Sequence, residues 1–324
     1  MAEFRADKIA STSGRLRVLI VTDGKMGDLA QCRGVAEALG ATAKEITVKP
    51  STLAAMFGSS AGDSAFNAAL AEILTPPNVV LASGRRAAPY LKAIKKPWGD
   101  ATLTVFLKDP RTGAGVADVI WVPEHDKLRG PNVITTATGP HGHTAARRAK
   151  AASNLRAQLT RYPRPWLGVL LGGASKGVTY EQATIDRLMD ALRTASEGAG
   201  SVLITPSRRT PSALTEGLSA IHPHTWVWDG TGENPYTGML GACDAFLVTG
   251  DSHNMVSEAL STGKHIMVFR PAGLPKKFIR FLDTMERDGA ITAPGPADFA
   301  HEQPSIDATP LIADAIRARL KERH

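Results

Sequence analysis

Long apolar runs are missing from this chain of 324 residues, and their absence removes one class of protein at the outset. No stretch approaches the roughly 20 apolar residues that a membrane-spanning helix needs. The first ten residues, MAEFRADKIA, lack the apolar core of a secretory signal. Cysteine is scarce as well. Cys32 and Cys243 lie far apart in sequence, without the spacing of a metal site, and read as free thiols of a reducing compartment. The expectation is a cytoplasmic protein. Aromatic residues are few, 6% of the chain, and do not interleave with the basic clusters. A stacking platform for single-stranded nucleic acid needs both, so no nucleic-acid partner is expected. No Ser-His-Asp set and no nucleophile elbow is present, which leaves acyl-enzyme hydrolysis without support.

What the chain does have is ordinary globular composition, with 43% hydrophobic and 21% charged residues. Its 30 glycines and 21 prolines suit a loop-rich α/β protein. The formal net charge of +7 biases the surface toward anionic partners, such as phosphorylated metabolites or acidic lipid. Arg147, Arg148, Lys150, Arg156, Arg161 and Arg164 form one basic segment, and Lys276, Lys277 and Arg280 another. Either is a solvated helix face or a peripheral contact with the inner face of an anionic membrane.

Short runs rich in Val, Ile and Leu alternate with helix-length segments, the pattern of buried parallel strands joined by helices. Strands are predicted over 16–22, 42–48, 78–82, 101–107, 118–122 and 132–135 in the first half, with a basic helix over 144–159. The pair Pro163 and Pro165 disfavours a continuing helix, and the domain boundary is placed there. The second half restarts the plan with strands over 166–171, 201–205, 225–228, 245–249 and 265–269. The fold class is therefore α/β, two Rossmann-like doubly wound domains facing across a cleft, spanning 1–161 and 162–305. Residues 306–324 are expected to form a helix that begins near Pro310 and returns to the first domain.

In open parallel sheets, ligands sit beyond the carboxyl ends of the strands. The segment Thr249-Gly250-Asp251-Ser252-His253-Asn254-Met255 follows one such strand and opens a helix. Amide groups at a helix start make an anion site, and Glu258, further along the helix, suits a sugar's hydroxyls. The plainer reading is that Asp251 and Ser252 only cap the helix while Glu258 is solvated. Gly172-Gly173-Ala174-Ser175-Lys176-Gly177 follows another strand and lets backbone approach a ligand closely. It is neither the phosphate loop of kinases nor the dinucleotide fingerprint. Arg208 and Arg209 end a third strand with forked donors suited to phosphate oxygens. Ser83-Gly84-Arg85-Arg86 is a similar turn in the first half. Candidate acids and bases are Asp23 in the first turn, Asp109, His141 and His143. No group of residues has metal-ligand spacing, and neither a metal nor another cofactor is expected.

The second half resembles the nucleotide-binding domain of GT-B glycosyltransferases and of the non-hydrolysing UDP-sugar 2-epimerases, through its glycine turn, its basic turn and the helix bearing Ser252 and Glu258. The whole chain is similar to the mitochondrial fission (elongated-mitochondria) protein family. Thr22-Asp23-Gly24-Lys25-Met26-Gly27-Asp28, Lys108-Asp109-Pro110-Arg111 and the segment from Thr249 to Met255 carry that likeness. The GT-B resemblance implies a metal-independent glycosyltransferase with a nucleotide-diphosphate sugar as donor and an unidentified acceptor. It implies a diphosphate at Asp251, Ser252, His253, Asn254 and Met255, helped by Gly172, Gly173, Ser175, Lys176 and Arg208. Glu258 would take the ribose and Trp228 the base. Asp23 is the expected base, with His141 a second acid–base candidate, and Gly24, Lys25, Gly84 and Arg85 lie on the acceptor side. Two other readings are an epimerase on the same fold, which needs no acceptor, and a non-catalytic scaffold at a membrane or division protein.

Overall fold

In the computed structural model, residues 15–49, 63–175 and 177–323 are described. The first sheet uses six strands: β1 (Arg17–Thr22), β2 (Thr42–Thr47), β3 (Val79–Ser83), β4 (Leu103–Leu107), β5 (Val119–Pro123) and β6 (Val133–Thr136). Between them lie α1 (Met26–Ala38), α2 (Ser64–Ala71) and α3 (Ala88–Trp98). The strand order is β2-β1-β3-β4-β5-β6. Strands β3, β4 and β5 are buried along their whole length, which is why they read as mostly apolar runs. The edge strand β2 is exposed except at Ile46, and its sequence is correspondingly polar.

Helix α4 (Ala145–Gln158) precedes the second sheet, whose strands are β7 (Trp166–Leu171), β8 (Ser201–Pro206), β9 (Thr225–Val227), β10 (Ala245–Thr249) and β11 (His265–Phe269). The connecting helices are α5 (Gln182–Ala195), α6 (Ser212–Thr215), α7 (Tyr236–Ala242) and α8 (His253–Leu260). Helices α9 (Lys276–Arg287) and α10 (Ala308–Lys321) follow. The order β11-β10-β7-β8-β9 is parallel throughout. Side chains alternate between two apolar layers, as a two-residue period demands. Trp166, Leu170, Phe246 and Val248 enter one layer, and Leu167, Val169, Leu171 and Leu247 the other.

Each sheet reverses its direction of growth at one point. In the first this lies between β1 and β3, in the second between β7 and β10. Loops leaving the sheet on either side of such a point diverge and leave a crevice at the carboxyl edge. The alternation predicts both sheets but not these strand orders.

The compact units divide at other residues than the sequence suggests. One unit takes the chain to Trp121, adds Gly130–Ile134 and resumes at Ala313; the other takes Val122–Arg129 and Thr135–Ile312. The sequence reading places the boundary at 161, whereas α4 packs on α7 and counts with the second unit. Residues from Ala313 count with the first unit. There Arg319 donates to the Pro131 carbonyl at 2.9 Å and Arg323 reaches Asp118 at 2.9 Å.

Candidate functional site

Strands β7 and β10 are neighbours, so the turns that follow them meet at the switch point of the second sheet. Thr249 Oγ1 accepts a hydrogen bond from the Gly172 N–H at 2.7 Å. Asp251 Oδ2 accepts from the Gly173 N–H at 3.0 Å and from Arg209 Nη2 at 3.3 Å, and Oδ1 accepts from the Tyr180 hydroxyl at 3.0 Å. The Asp251 side chain is 0% exposed. Burial and the Asp251 carboxylate push the Tyr180 hydroxyl up, so it remains a donor. Both glycines are required by this approach. A Cβ at Gly172 would lie 2.2 Å from Asp251 Oδ2, and one at Gly173 would lie 2.0 Å from the Arg209 carbonyl oxygen.

The sequence points to Asp251 as a substrate contact, but its carboxylate is occupied in pinning the glycine turn. The paired glycines serve that internal contact. Of the two arginines, Arg209 is a staple, bonding the Gly173 and Ala174 carbonyls at 3.1 Å each. Arg208 is exposed and makes no such bond among the described residues. Ser175 is exposed, with its backbone paired both ways to Val178 at 3.1 and 3.0 Å. Lys176 lies outside the described residues.

Helix α8 starts at this junction. Ser252 is its N-cap, with Oγ accepting from the Met255 N–H at 3.4 Å. Residues 252–255 are all partly exposed. The His253 ring packs into the protein, with its centroid 4.5 Å from that of Phe281 and 4.8 Å from that of His125. Burial pushes His125 down to about 4, so it is neutral near pH 7. Sequence reasoning missed His125, because nothing local to Glu124-His125-Asp126 signals its neighbours.

Glu258 lies in the second turn of α8, its side chain 15% exposed. Its Oε2 accepts from the Tyr236 hydroxyl at 2.5 Å, and His143 Nε2 is 3.8 Å from Oε1. Burial raises Glu258 to about 7. His143 is pushed down to about 4, first by burial, and its Nδ1 lies 3.1 Å from Thr237 Oγ1. Nothing in the sequence links Tyr236 and His143 to Glu258. His141, expected as an acid–base group, is 2% exposed. Its Nε2 is 3.5 Å from Asp307, its N–H donates to Thr309 Oγ1 at 3.1 Å, and its Nδ1 accepts from the His143 N–H at 3.3 Å. In that environment His141 joins the segment before α4 to the start of α10. Much of the basic segment is likewise engaged. Arg148 bonds the Ser261 carbonyl at 2.8 Å and its hydroxyl at 2.6 Å, Arg156 bonds Gly241, and Arg164 pairs with Asp244.

Trp228 is partly buried, and its indole N–H donates to the Thr231 carbonyl at 2.8 Å. Beside it a cleft of about 400 Å³ is lined by Trp226, Asn154, Gln158, Asp229 and Asn234 among others.

In the first unit the expected residues also gather at a switch point. Asp23 Oδ2 pairs with Lys25 at 2.7 Å, and its side chain is 3% exposed. Gly24 and Gly84 both adopt positive φ, 82° and 91°. Lys108 pairs with Asp28 on α1 and itself has φ of 103°, an uncommon value for a residue with a side chain.

The family model for Mitochondrial fission ELM1 matches residues 26–320. The chain belongs to that family. It is 27% identical over 276 residues to the Mitochondrial fission protein ELM1 of Arabidopsis thaliana, a match covering 76% of this chain and 65% of the plant protein. It is 26% identical over 233 residues to the Uncharacterized protein RP120 of Rickettsia prowazekii, covering 60% and 65% respectively. The matches thus span just under two thirds of the curated relatives. In fold it is similar to a UDP-GlcNAc 2-epimerase from Neisseria meningitidis bound to UDP-GlcNAc, with a TM-score of 0.58 at 12% identity over 95% of this chain and 100% of that one. A putative UDP-N-acetylglucosamine 2-epimerase from Listeria monocytogenes gives 0.59 at 12% identity over 95% and 96%. A UDP-glucosyltransferase from Polygonum tinctorium gives 0.52 at 12% identity over 97% and 94%. At this identity the likeness establishes the fold, which is of the GT-B type. No helix among the described residues is long and apolar enough to cross a membrane.

Proposed function

We propose that this member of the family is a glycosyltransferase that takes its sugar from a nucleoside diphosphate donor held by the second unit. The observation that carries the reading is the junction of β7, β8 and β10. Asp251 fixes the turn, Arg208 is left without a partner among the described residues, and α8 begins there with Glu258 in its second turn. A helix start and a guanidinium favour a diphosphate through dipole and charge. Ser252, the backbone of His253 and Asn254, Ser175 and Arg208 are assigned to the diphosphate. Glu258 is assigned to the ribose hydroxyls and Trp228 to the base.

Transfer makes a bond from an acceptor oxygen to the anomeric carbon and breaks the bond from that carbon to the diphosphate. The electron pair leaves with the diphosphate, where Arg208 and the helix dipole stabilise the added charge. Asp23 is assigned the acceptor's proton.

UDP is the first probe, because two proteins of similar fold were solved with UDP-GlcNAc or UDP. Calorimetry is expected to detect UDP or another nucleoside diphosphate, with Glu258→Ala and Arg208→Ala each weakening it about tenfold. Absence of heat with UDP, GDP, ADP and CMP at millimolar concentrations would remove the reading. Product formed without any acceptor would instead identify an epimerase.

A further inference from the structure

The turns after β1, β3 and β4 stand side by side. Thr22 is in register with Ser83, and Ser83 with Leu107. Asp23, Gly84 and Lys108 therefore leave neighbouring strands at one edge of the first sheet. The segments 23–28, 84–86 and 108–111 hold five cations (Lys25, Arg85, Arg86, Lys108 and Arg111) against three carboxylates (Asp23, Asp28 and Asp109). Every one of those carboxylates is already paired within the set: Asp23 with Lys25 at 2.7 Å, Asp28 with Lys108, and Asp109 with Arg111 at 3.5 Å.

Arg85 and Arg86 are what remains. Both are exposed, and neither makes a hydrogen bond or ion pair among the described residues. Their turn is not free to rearrange. Gly84 has φ of 91°, and a Cβ there would lie 2.9 Å from Asp23 Oδ1. That oxygen is the second observation. It belongs to a side chain only 3% exposed and has no hydrogen-bond partner among the described residues. A buried carboxylate oxygen without a donor is costly to keep and is accounted for where a ligand supplies the proton. Met26, the first residue of α1, adds apolar surface at the same edge, 57% exposed.

We propose that this edge binds a phosphomonoester, and that the alcohol receiving the sugar carries that phosphate group. Two adjacent guanidiniums without counterions match the double charge and the fork geometry of such a group. Assigning the anion to the acceptor rests on the glycosyl-transfer reading; the anion site itself does not. The alcohol's hydroxyl, not its phosphate, supplies the hydrogen bond that Asp23 Oδ1 lacks among the described residues.

The test uses the full chain with two probes, glycerol phosphate by calorimetry and phosphatidylcholine vesicles doped with phosphatidic acid by sedimentation. Arg85→Ala/Arg86→Ala is expected to weaken binding of a phosphate probe about tenfold or more while leaving UDP affinity and the melting temperature unchanged. Arg85→Lys/Arg86→Lys keeps the charge without the fork and is expected to fall between. Binding to both probes means that the phosphate suffices; binding to vesicles alone means a lipid-borne phosphate. Both outcomes support the site. It is overturned if neither probe binds, or if the double variant binds as the parent does. Should UDP bind while neither phosphate probe does, the phosphate site fails and the nucleotide donor stands. Phosphate binding lost in the double variant, with no nucleotide bound by the parent, keeps the phosphate site and removes the nucleotide donor.

Discussion

Replacing Asp251 distinguishes a structural hub from a substrate contact. In Asp251→Ala the buried Gly173 N–H and the half-buried Tyr180 hydroxyl lose their acceptor together. Each stranded donor costs about 1–3 kcal/mol, so the sum is roughly 2–6 kcal/mol. Arg209 adds little, because its guanidinium is 44% exposed and water replaces the lost carboxylate. For a unit of this size each kcal/mol moves the melting temperature about 2–4 °C, which predicts a fall of roughly 4–24 °C. Asp251→Asn keeps an acceptor oxygen but turns an amide toward one of the donors, and is expected to lose about half as much. The assay is thermal unfolding of the ligand-free protein by circular dichroism, alongside calorimetry with UDP. A hub lowers melting in the absence of any ligand. A variant that melts within about 1 °C of the parent, yet binds UDP more weakly, would refute the hub and restore Asp251 as a substrate ligand.

The pH dependence follows from Glu258, which burial raises from 4.5 to about 7. Between those values the folded protein holds a proton that the unfolded chain has lost, so this group's stabilising contribution falls as pH rises from about 4.5 to 7. His143, lowered from 6.5 to about 4, works the other way, its contribution being lost as pH falls through that window. The difference between parent and Glu258→Gln isolates the first effect, and a stability difference that does not change from pH 5 to 7 contradicts the assignment. Because the ribose is assigned to the carboxylate form, UDP affinity is expected to rise through pH 7 in the parent and to stay flat in Glu258→Gln. Arg148→Ala removes two hydrogen bonds to Ser261 and should cost about 1–3 kcal/mol in denaturant unfolding, whereas the exposed Lys150→Ala should stay within about 0.5 kcal/mol. Equal effects at the two positions would mean that the helix face is simply solvated.

Much of the architecture is legible along the chain because buried parallel strands advertise themselves locally. Val79–Ser83 and Trp166–Leu171 are mostly apolar runs, and a glycine follows each. The segment around Ser252 is recognisable because a strand end and a helix start adjoin in sequence. The roles within it are less legible. Asp251 looks like a ligand to phosphate or a cap, since its partners Gly173, Tyr180 and Arg209 are all distant in sequence. The arginine segment looks like one cationic face, although Arg148, Arg156 and Arg164 spend their charge on carbonyls and a carboxylate contributed from elsewhere.

By itself, the order of residues determined where strands, turns and helix starts lie, since apolar periodicity, capping and glycine or proline punctuation are short-range effects. It determined the charge available at each strand end. The tertiary structure alone decided which strand ends become neighbours, and hence that the turns after β7 and β10 meet at Asp251 while those after β1, β3 and β4 collect Arg85 and Arg86 beside Asp23. The physical reason is that a hydrogen bond between groups remote in the chain is selected by the packing of whole sheets, and that selection leaves no periodic mark on the residues it joins.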